Sequence, residues 1–134
     1  MKLIRGTDRP FVPASHEDPR RPGVLKRVIR TRDEVLDGRV QMINWAKLPV
    51  GQAFRAHYHE DMEETFLIVA GQCEMQVNGQ IHALGPGDTM VVAPREIHTM
   101  RNTGSATVEY VVVGVSTGEN GQTIVTEEDS SPKP

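Results

Sequence analysis

The stretch from Gly51 to Gly71 decides the fold, and it reads GQAFRAHYHEDMEETFLIVAG. It places His57 and His59 two positions apart, follows them with an acidic turn, and ends in the short apolar run 65–70. Successive side chains of a strand alternate between its two faces, so the two imidazoles are predicted to point the same way. A hairpin through the acidic turn would bring the next strand beside them. The stretch therefore predicts two neighbouring strands with ligand-type side chains near their junction.

Short strand-like segments continue on both sides of this stretch. Asn78-Gly79 is a strong hairpin signal, and Gly85-Pro86-Gly87-Asp88 is a second tight turn. The segments with apolar runs or alternation are 40–45, 65–70, 73–77, 81–84, 90–93, 97–101 and 108–115. Strands this short and this closely spaced predict an all-β sandwich or barrel.

Composition excludes several classes of protein. The chain has 134 residues, a net charge of −3 and six aromatic residues, which argues against nucleic-acid binding. Its longest stretch without a charged residue, 75–87, is too short and too polar to span a bilayer. The first residues lack an apolar segment, and Cys73 is the single cysteine, so we expect a cytoplasmic protein without disulfides.

The first 39 residues differ from the rest in charge. They carry ten Lys/Arg against six Asp/Glu, whereas 40–134 carry five against twelve. Prolines interrupt 6–23, which is predicted to be an extended arm, either solvated or lying across an acidic partner subunit. Thr31 to Glu34 matches a capping box with room for at most one helical turn. The end of the chain is polar and is predicted to be disordered from about residue 127.

Four side chains have the chemistry of a metal site. His57 and His59 share a strand face, Glu64 opens the following strand, and His98 lies on a distant predicted strand. Three imidazoles and a carboxylate suit a borderline divalent metal, so Fe, Mn, Ni, Zn and Cu are all admissible. A histidine pair at strand spacing is weak evidence when it stands alone.

The spacing of these residues resembles the first motif of the cupin superfamily. The motif has a glycine, five residues, His-x-His, three or four residues, Glu, six residues and a glycine. Here Gly51, His57, His59, Glu64 and Gly71 occupy those positions, and every fixed position matches.

The second motif of the family is similar to Gly87-Asp88, Pro94, His98 and Asn102. Two positions depart from it. Pro94 comes one residue later than the family's proline, and Arg95 stands where a turn glycine is expected. These departures affect the shape of one turn and leave the position of His98 unchanged.

The resemblance implies a cupin barrel, that is, a double-stranded β-helix or jelly roll, with an N-terminal arm. It divides the chain into an arm over 1–38, a barrel over 39–116 and a C-terminal segment over 117–134. The family's metal ligands fall on His57, His59, Glu64 and His98, with one divalent metal per chain. Glu63 competes with Glu64 for the carboxylate position, but strand parity with Phe66 and Ile68 favours Glu64.

Substrate-contacting residues are predicted from strand parity with the ligands. Arg55 is expected to share the inward face of His57 and to bind an anion, or else to turn to the rim and pair with Glu60 or Asp61. Phe66, Met75 and Met100 are expected to form apolar walls, or simply core. His16 in the arm is expected to be solvated, and His82 to be exposed or at the edge of the core.

Two functions remain open. One is a metal-dependent enzyme, a dioxygenase or isomerase, acting on a small polar or carboxylate-bearing molecule. The other is a non-catalytic module that binds or senses a small acid or sugar through the same metal. A small-molecule ligand and a homodimer are expected, because family members of this size often pair and strand edges need covering.

Overall fold

The computed structural model describes residues 1–36, 38–118 and 122–126, and within them the chain is built from β-strands. The elements in chain order are two short 3₁₀ helices, Gly6–Asp8 and Arg32–Glu34, and the strands β1 (Phe11–Pro13), β2 (Leu25–Thr31), β3 (Val40–Leu48), β4 (His57–His59), β5 (Met62–Ala70), β6 (Cys73–Val77), β7 (Gln80–Leu84), β8 (Thr89–Val92), β9 (His98–Asn102), β10 (Val108–Ser116) and β11 (Thr123–Val125). The all-β prediction is confirmed.

The strands form two antiparallel sheets. One has the order β1-β2-β3-β10-β5-β8, and the other has the order β11-β4-β9-β6-β7. Alternation along β5 shows how the sequence sets the faces: Met62, Glu64, Phe66 and Ile68 are buried. The residues between them are more exposed, so polar and apolar side chains separate as strand periodicity requires.

Two turns contain non-glycine residues with positive φ. Asn78 and Gly79 both have positive φ, 48° and 83°, as the tight hairpin between β6 and β7 requires. Arg95 has φ 69°, the left-handed conformation that favours glycine. The place where the sequence departs from the cupin pattern is therefore a real glycine-type turn occupied by an arginine.

The N-terminal arm is part of the larger sheet. The strand β2 pairs with β3, and β1 pairs with β2, so the sheet extends into residues that we expected to lie outside the barrel. Thr31 and Glu34 form the predicted capping box on a single 3₁₀ turn. A contact between this arm and a partner subunit stays a prediction.

The core lies between the two sheets. Met75 and Met100 are opposite each other on β6 and β9, and both are fully buried. Leu48 and Ile68 complete its centre, with less than 2% of each side chain exposed. None of the helices in the part of the chain that the structure describes has the length and apolarity needed to cross a bilayer. The tail predicted to be disordered from about residue 127 lies outside the described residues.

Candidate metal centre

The four predicted ligands come together inside the barrel. One donor atom from each of His57, His59, Glu64 and His98 lies within 4.8 Å of the others, and all four residues are buried. β4 supplies the first two, β5 the carboxylate and β9 the last, with His57 directly opposite His98 in the strand pairing. Ligands on opposite sides of a metal at about 2.1 Å would lie about 4.2 Å apart, so the cluster has the dimensions of a site for one ion.

Backbone carbonyls fix the tautomers of two imidazoles. His57 Nδ1 lies 2.6 Å from the Arg55 carbonyl oxygen, and His98 Nδ1 lies 2.9 Å from that of Glu96. A carbonyl oxygen can only accept, so each Nδ1 carries the proton and donates it. When these rings are neutral, their Nε2 atoms therefore keep a lone pair. Burial, with repulsion from His98, lowers the pKa of His57 to about 2, so its ring is neutral at ordinary pH.

The third imidazole is oriented by the C-terminal strand. Thr123 lies opposite His59 in the pairing of β11 with β4, and its Oγ1 is 3.0 Å from His59 Nδ1. Hydrogen bonds of this kind orient metal-binding histidines. The sequence did not lead us to Thr123, because its segment looked like a polar tail.

Glu64 is a buried carboxylate among imidazoles. Its Oε1 lies 2.8 Å from His59 Nε2 and 3.0 Å from His98 Nε2. Burial alone would raise the pKa of Glu64, but the neighbouring imidazoles His59 and His98 outweigh burial and hold its pKa below the ordinary value. The competing residue Glu63 is exposed on the opposite face of β5.

The chemistry of these donors fits a cation. His59 Nε2 is buried, lies outside hydrogen-bonding geometry toward Glu64, and has no hydrogen-bond partner among the described residues. A lone pair directed at a divalent cation would satisfy this nitrogen, and the cation would offset the buried negative charge of Glu64. The residues present therefore suit a metal ion.

A cavity of about 330 Å³ adjoins the cluster. Three of the ligands line it, namely His57, His59 and Glu64. Phe66 and Tyr110 add aromatic wall, and burial raises the pKa of Tyr110, so this residue stays a neutral phenol. The rest of the lining comes largely from β2, β3 and the turn before β2.

His16 lies against the site, so the expectation that it is solvated is wrong. Its ring stacks on His57 with centroids 4.1 Å apart, and it lines the cavity. Glu17, 7% exposed, lies 3.2 Å from His16 Nδ1 and accepts hydrogen bonds from the backbone N–H groups of Gly23 and Arg55. A single buried carboxylate thus fastens the N-terminal segment beside β4.

Of the two orientations expected for Arg55, the structure shows the outward one, although without an ion pair to Glu60 or Asp61 among the described residues. Its side chain is exposed and lines a second cavity on the outside of the smaller sheet, rather than sharing the inward face of His57. Strand parity fails because β4 begins only at His57. The backbone N–H of Arg55 is bonded to the side chain of Glu17 instead of a neighbouring strand.

The predicted apolar wall residues divide into two groups. Phe66 is buried and lines the cavity. Met75 and Met100 belong to the core and are absent from the described lining of that cavity. Asn102 also has a structural role, since its side-chain Nδ2 donates hydrogen bonds to the carbonyl oxygens of Leu48 and Ala106.

The chain has two antiparallel sheets that enclose three imidazoles and a carboxylate. This arrangement is that of a β-barrel protein with a candidate metal site at its centre. Within that class, the Cupin_2 family of cupin domains matches residues 44–114, and the chain belongs to this family.

Two proteins of similar sequence carry different functional names, one a binding protein and the other an enzyme. The chain is 28% identical over 80 residues to an oxalate-binding protein of Thermotoga maritima, covering 60% of this chain and 66% of that protein. It is 40% identical over 53 residues to a quercetin 2,3-dioxygenase of Bacillus subtilis, covering 40% of this chain and 16% of that one. The match thus spans less than two thirds of either relative.

A solved structure shows the same fold. The crystal structure of a predicted oxalate decarboxylase from Thermotoga maritima superposes with a TM-score of 0.76 at 21% identity, covering 86% of this chain and 99% of that one.

Proposed function

We propose that this cupin is a metal-dependent enzyme, of oxygenase or isomerase type, that acts on a small polar molecule held beside the metal. The observation that carries the proposal is the position of the ligand cluster. His57, His59 and Glu64 lie in the wall of a cavity large enough for a small molecule. A metal held by these four protein ligands would keep part of its coordination sphere open for that molecule.

The protein's own groups support this role in definite ways. The Arg55 and Glu96 carbonyls hold the Nδ1 atoms of the His57 and His98 rings, which leaves the Nε2 atoms as the nitrogens that can bind a metal. Tyr110 offers a phenol that stays protonated in the cavity. A divalent metal bound there supplies Lewis-acid chemistry, or redox chemistry if it is iron, manganese or copper. The donor set admits Fe, Mn, Ni, Zn or Cu.

A second candidate is capture of a small acid without turnover. It is favoured by the similarity to a protein named oxalate-binding, and it would use the same four ligands. The two candidates share the metal and differ only in whether a bound molecule is changed.

Metal content tests what both candidates share. Elemental analysis of protein purified without chelator is expected to give about one divalent metal per chain. Glu64→Gln is expected to lower the metal affinity more than tenfold, whereas the matched exposed substitution Glu63→Gln leaves it unchanged. Equal and negligible metal in wild type and both variants would refute the metal site.

Turnover separates the two candidates. The metal-loaded protein is incubated with small hydroxy acids, keto acids and sugars, with dioxygen consumption followed by electrode and product formation by NMR. Consumption of dioxygen or conversion of one compound, lost in Glu64→Gln and kept in Glu63→Gln, supports the enzyme. Binding without conversion supports the capture module.

A further inference from the structure

The cavity contains a lysine that has no counter-ion among the residues that the structure describes. Lys26 on β2 is half-buried and lines the cavity, and its Nζ donates to Ser15 Oγ at 3.3 Å. No carboxylate of the described residues lies within ion-pair distance of this ammonium. Burial lowers the pKa of Lys26, as expected for an ammonium partly removed from water without a compensating charge. An anion entering the cavity would supply that charge.

The same cavity contains an amide with an unused acceptor. Asn44 on β3 is only 7% exposed, and it lines the cavity. Its Oδ1 is buried with no hydrogen-bond partner among the described residues. Buried polar atoms are nearly always hydrogen-bonded. An unpartnered acceptor at the wall of a cavity therefore calls for an O–H or N–H group of a ligand.

The strand register places these two groups within reach of one small molecule. Lys26 lies opposite Ala46 across the β2–β3 pair, and Asn44 is two residues from Ala46 on the same face. Diagonal neighbours of this kind lie about 7–8 Å apart at the backbone. The long side chain of lysine and the short side chain of asparagine can therefore contact neighbouring groups of the same ligand.

We propose that Lys26 and Asn44 select a small hydroxy acid, Lys26 Nζ pairing with its carboxylate and Asn44 Oδ1 accepting a hydrogen bond from its hydroxyl. This inference deepens the proposed function, on which it rests, by naming the substrate class. Lys26 lies outside the segment that the cupin family matches, residues 44–114. The N-terminal segment thus supplies specificity to a site whose metal ligands lie in the matched barrel.

Calorimetric titration of the metal-loaded protein tests the proposal. The probes are lactate and 3-hydroxybutyrate, each compared with the acid that lacks the hydroxyl (propionate, butyrate) and with its own uncharged amide. Wild type is expected to bind at least one hydroxy acid more tightly than both of its analogues. Lys26→Met should weaken that binding at least about tenfold and remove the preference for acid over amide. Asn44→Leu should weaken it about fivefold and remove the preference for the hydroxyl.

Two controls accompany these variants. Lys47→Met makes the same change on the outer face of β3, where Lys47 lies over the Phe11 ring, and should leave both preferences intact. Lys26→Arg keeps the charge and should keep the preference for acid over amide. Circular dichroism and metal content of every variant establish that each one is folded and loaded.

The outcomes separate this inference from the proposed function. If a hydroxy acid binds equally to wild type and Lys26→Met but is lost in Glu64→Gln, the metal alone holds it and the inference is wrong. The absence of any preference for acid over amide in wild type overturns it as well. If the protein holds no metal, the proposed function fails, while a Lys26-dependent preference would still support the recognition site.

Discussion

Replacing Glu17 by glutamine is expected to loosen the N-terminal segment and, through it, the metal site. The carboxylate accepts the backbone N–H groups of Gly23 at 2.6 Å and Arg55 at 2.9 Å, and it lies 3.2 Å from His16 Nδ1. An amide has one oxygen and presents an NH₂ group where the second donor points. One buried N–H therefore loses its acceptor.

The magnitude follows from these contacts. An unsatisfied buried donor costs about 1–3 kcal/mol, and hydrogen bonds to a charged acceptor are stronger than neutral ones. Glu17→Gln should therefore lower the free energy of unfolding by about 2 kcal/mol. Arg55, whose N–H Glu17 holds, also uses its carbonyl to orient the His57 ring. Loss of that support should lower the metal affinity by about tenfold, as for other groups that orient metal ligands.

The effect on stability should also depend on pH. Burial alone would raise the pKa of Glu17, but its hydrogen bonds with His16, Arg55 and Gly23 outweigh burial and lower the pKa below the reference value of 4.5. A carboxyl whose folded pKa is lowered stabilises the folded state above its unfolded pKa and loses that contribution as pH falls through the folded value. The difference between wild type and Glu17→Gln should thus be full at pH 7 and shrink in acid below pH 4.5.

Urea denaturation at pH 7 and pH 4, with metal titration at pH 7, measures these effects. The neighbouring variant Asp18→Asn is the matched control, because the carboxylate of Asp18 is partly exposed and contacts the local residue Arg20. If Glu17→Gln and Asp18→Asn have the same free energy of unfolding and the same metal affinity, Glu17 does not couple the N-terminal segment to the metal site.

Two further predictions concern glycines with positive φ and the buried cysteine. Gly71→Ala should destabilise the fold by about 1–3 kcal/mol, because φ is +88° and an added Cβ would lie 2.9 Å from the Thr107 carbonyl oxygen. Gly51→Ala, with φ +77° but open space around the Cβ, should cost less, and equal urea midpoints for the two variants would contradict this. Burial, with the charge of Asp88, raises the pKa of Cys73 to about 11, so a thiol reagent at pH 8 should label Cys73 only after the protein unfolds. Rapid labelling of the native protein would refute this.

The part of the metal cluster on β4 and β5 could be predicted because its determinants are local, whereas His98, on a distant strand, was assigned through the resemblance to the second cupin motif. His57 and His59 share a face by strand parity, and Glu64 follows at a fixed spacing across one turn. Strand parity also favoured Glu64 over Glu63 as the carboxylate ligand, and in β5 Glu64 is buried whereas Glu63 is exposed.

Contacts that reach the metal site from distant parts of the chain could not be predicted in this way. Thr123 lies 64 positions from the histidine it contacts, and Glu17 lies 38 positions from Arg55. The prolines around Glu17 and the polar residues around Thr123 are not typical of strands, so the short strands β1 and β11 were not predicted. Periodicity describes neighbours along one strand, and it carries no information about which distant segment a strand pairs with.

Arg55 shows the limit of parity itself. Alternation predicts a side chain's face only while the backbone is paired as a strand, and β4 begins two residues after Arg55. Here a buried carboxylate from elsewhere in the chain had replaced the neighbouring strand as hydrogen-bond partner.

The pairing of β11 with β4 bears on how this protein can be divided in practice. A fragment cut at the limits of the family match, residues 44–114, would keep every predicted ligand. It would lose the Thr123 hydroxyl that contacts His59 and the His16 ring that stacks on His57. It would also lose the strand β2, which pairs with β3. A portable unit that retains the described cavity wall must therefore run at least from Ala14 to the end of β11 at Val125.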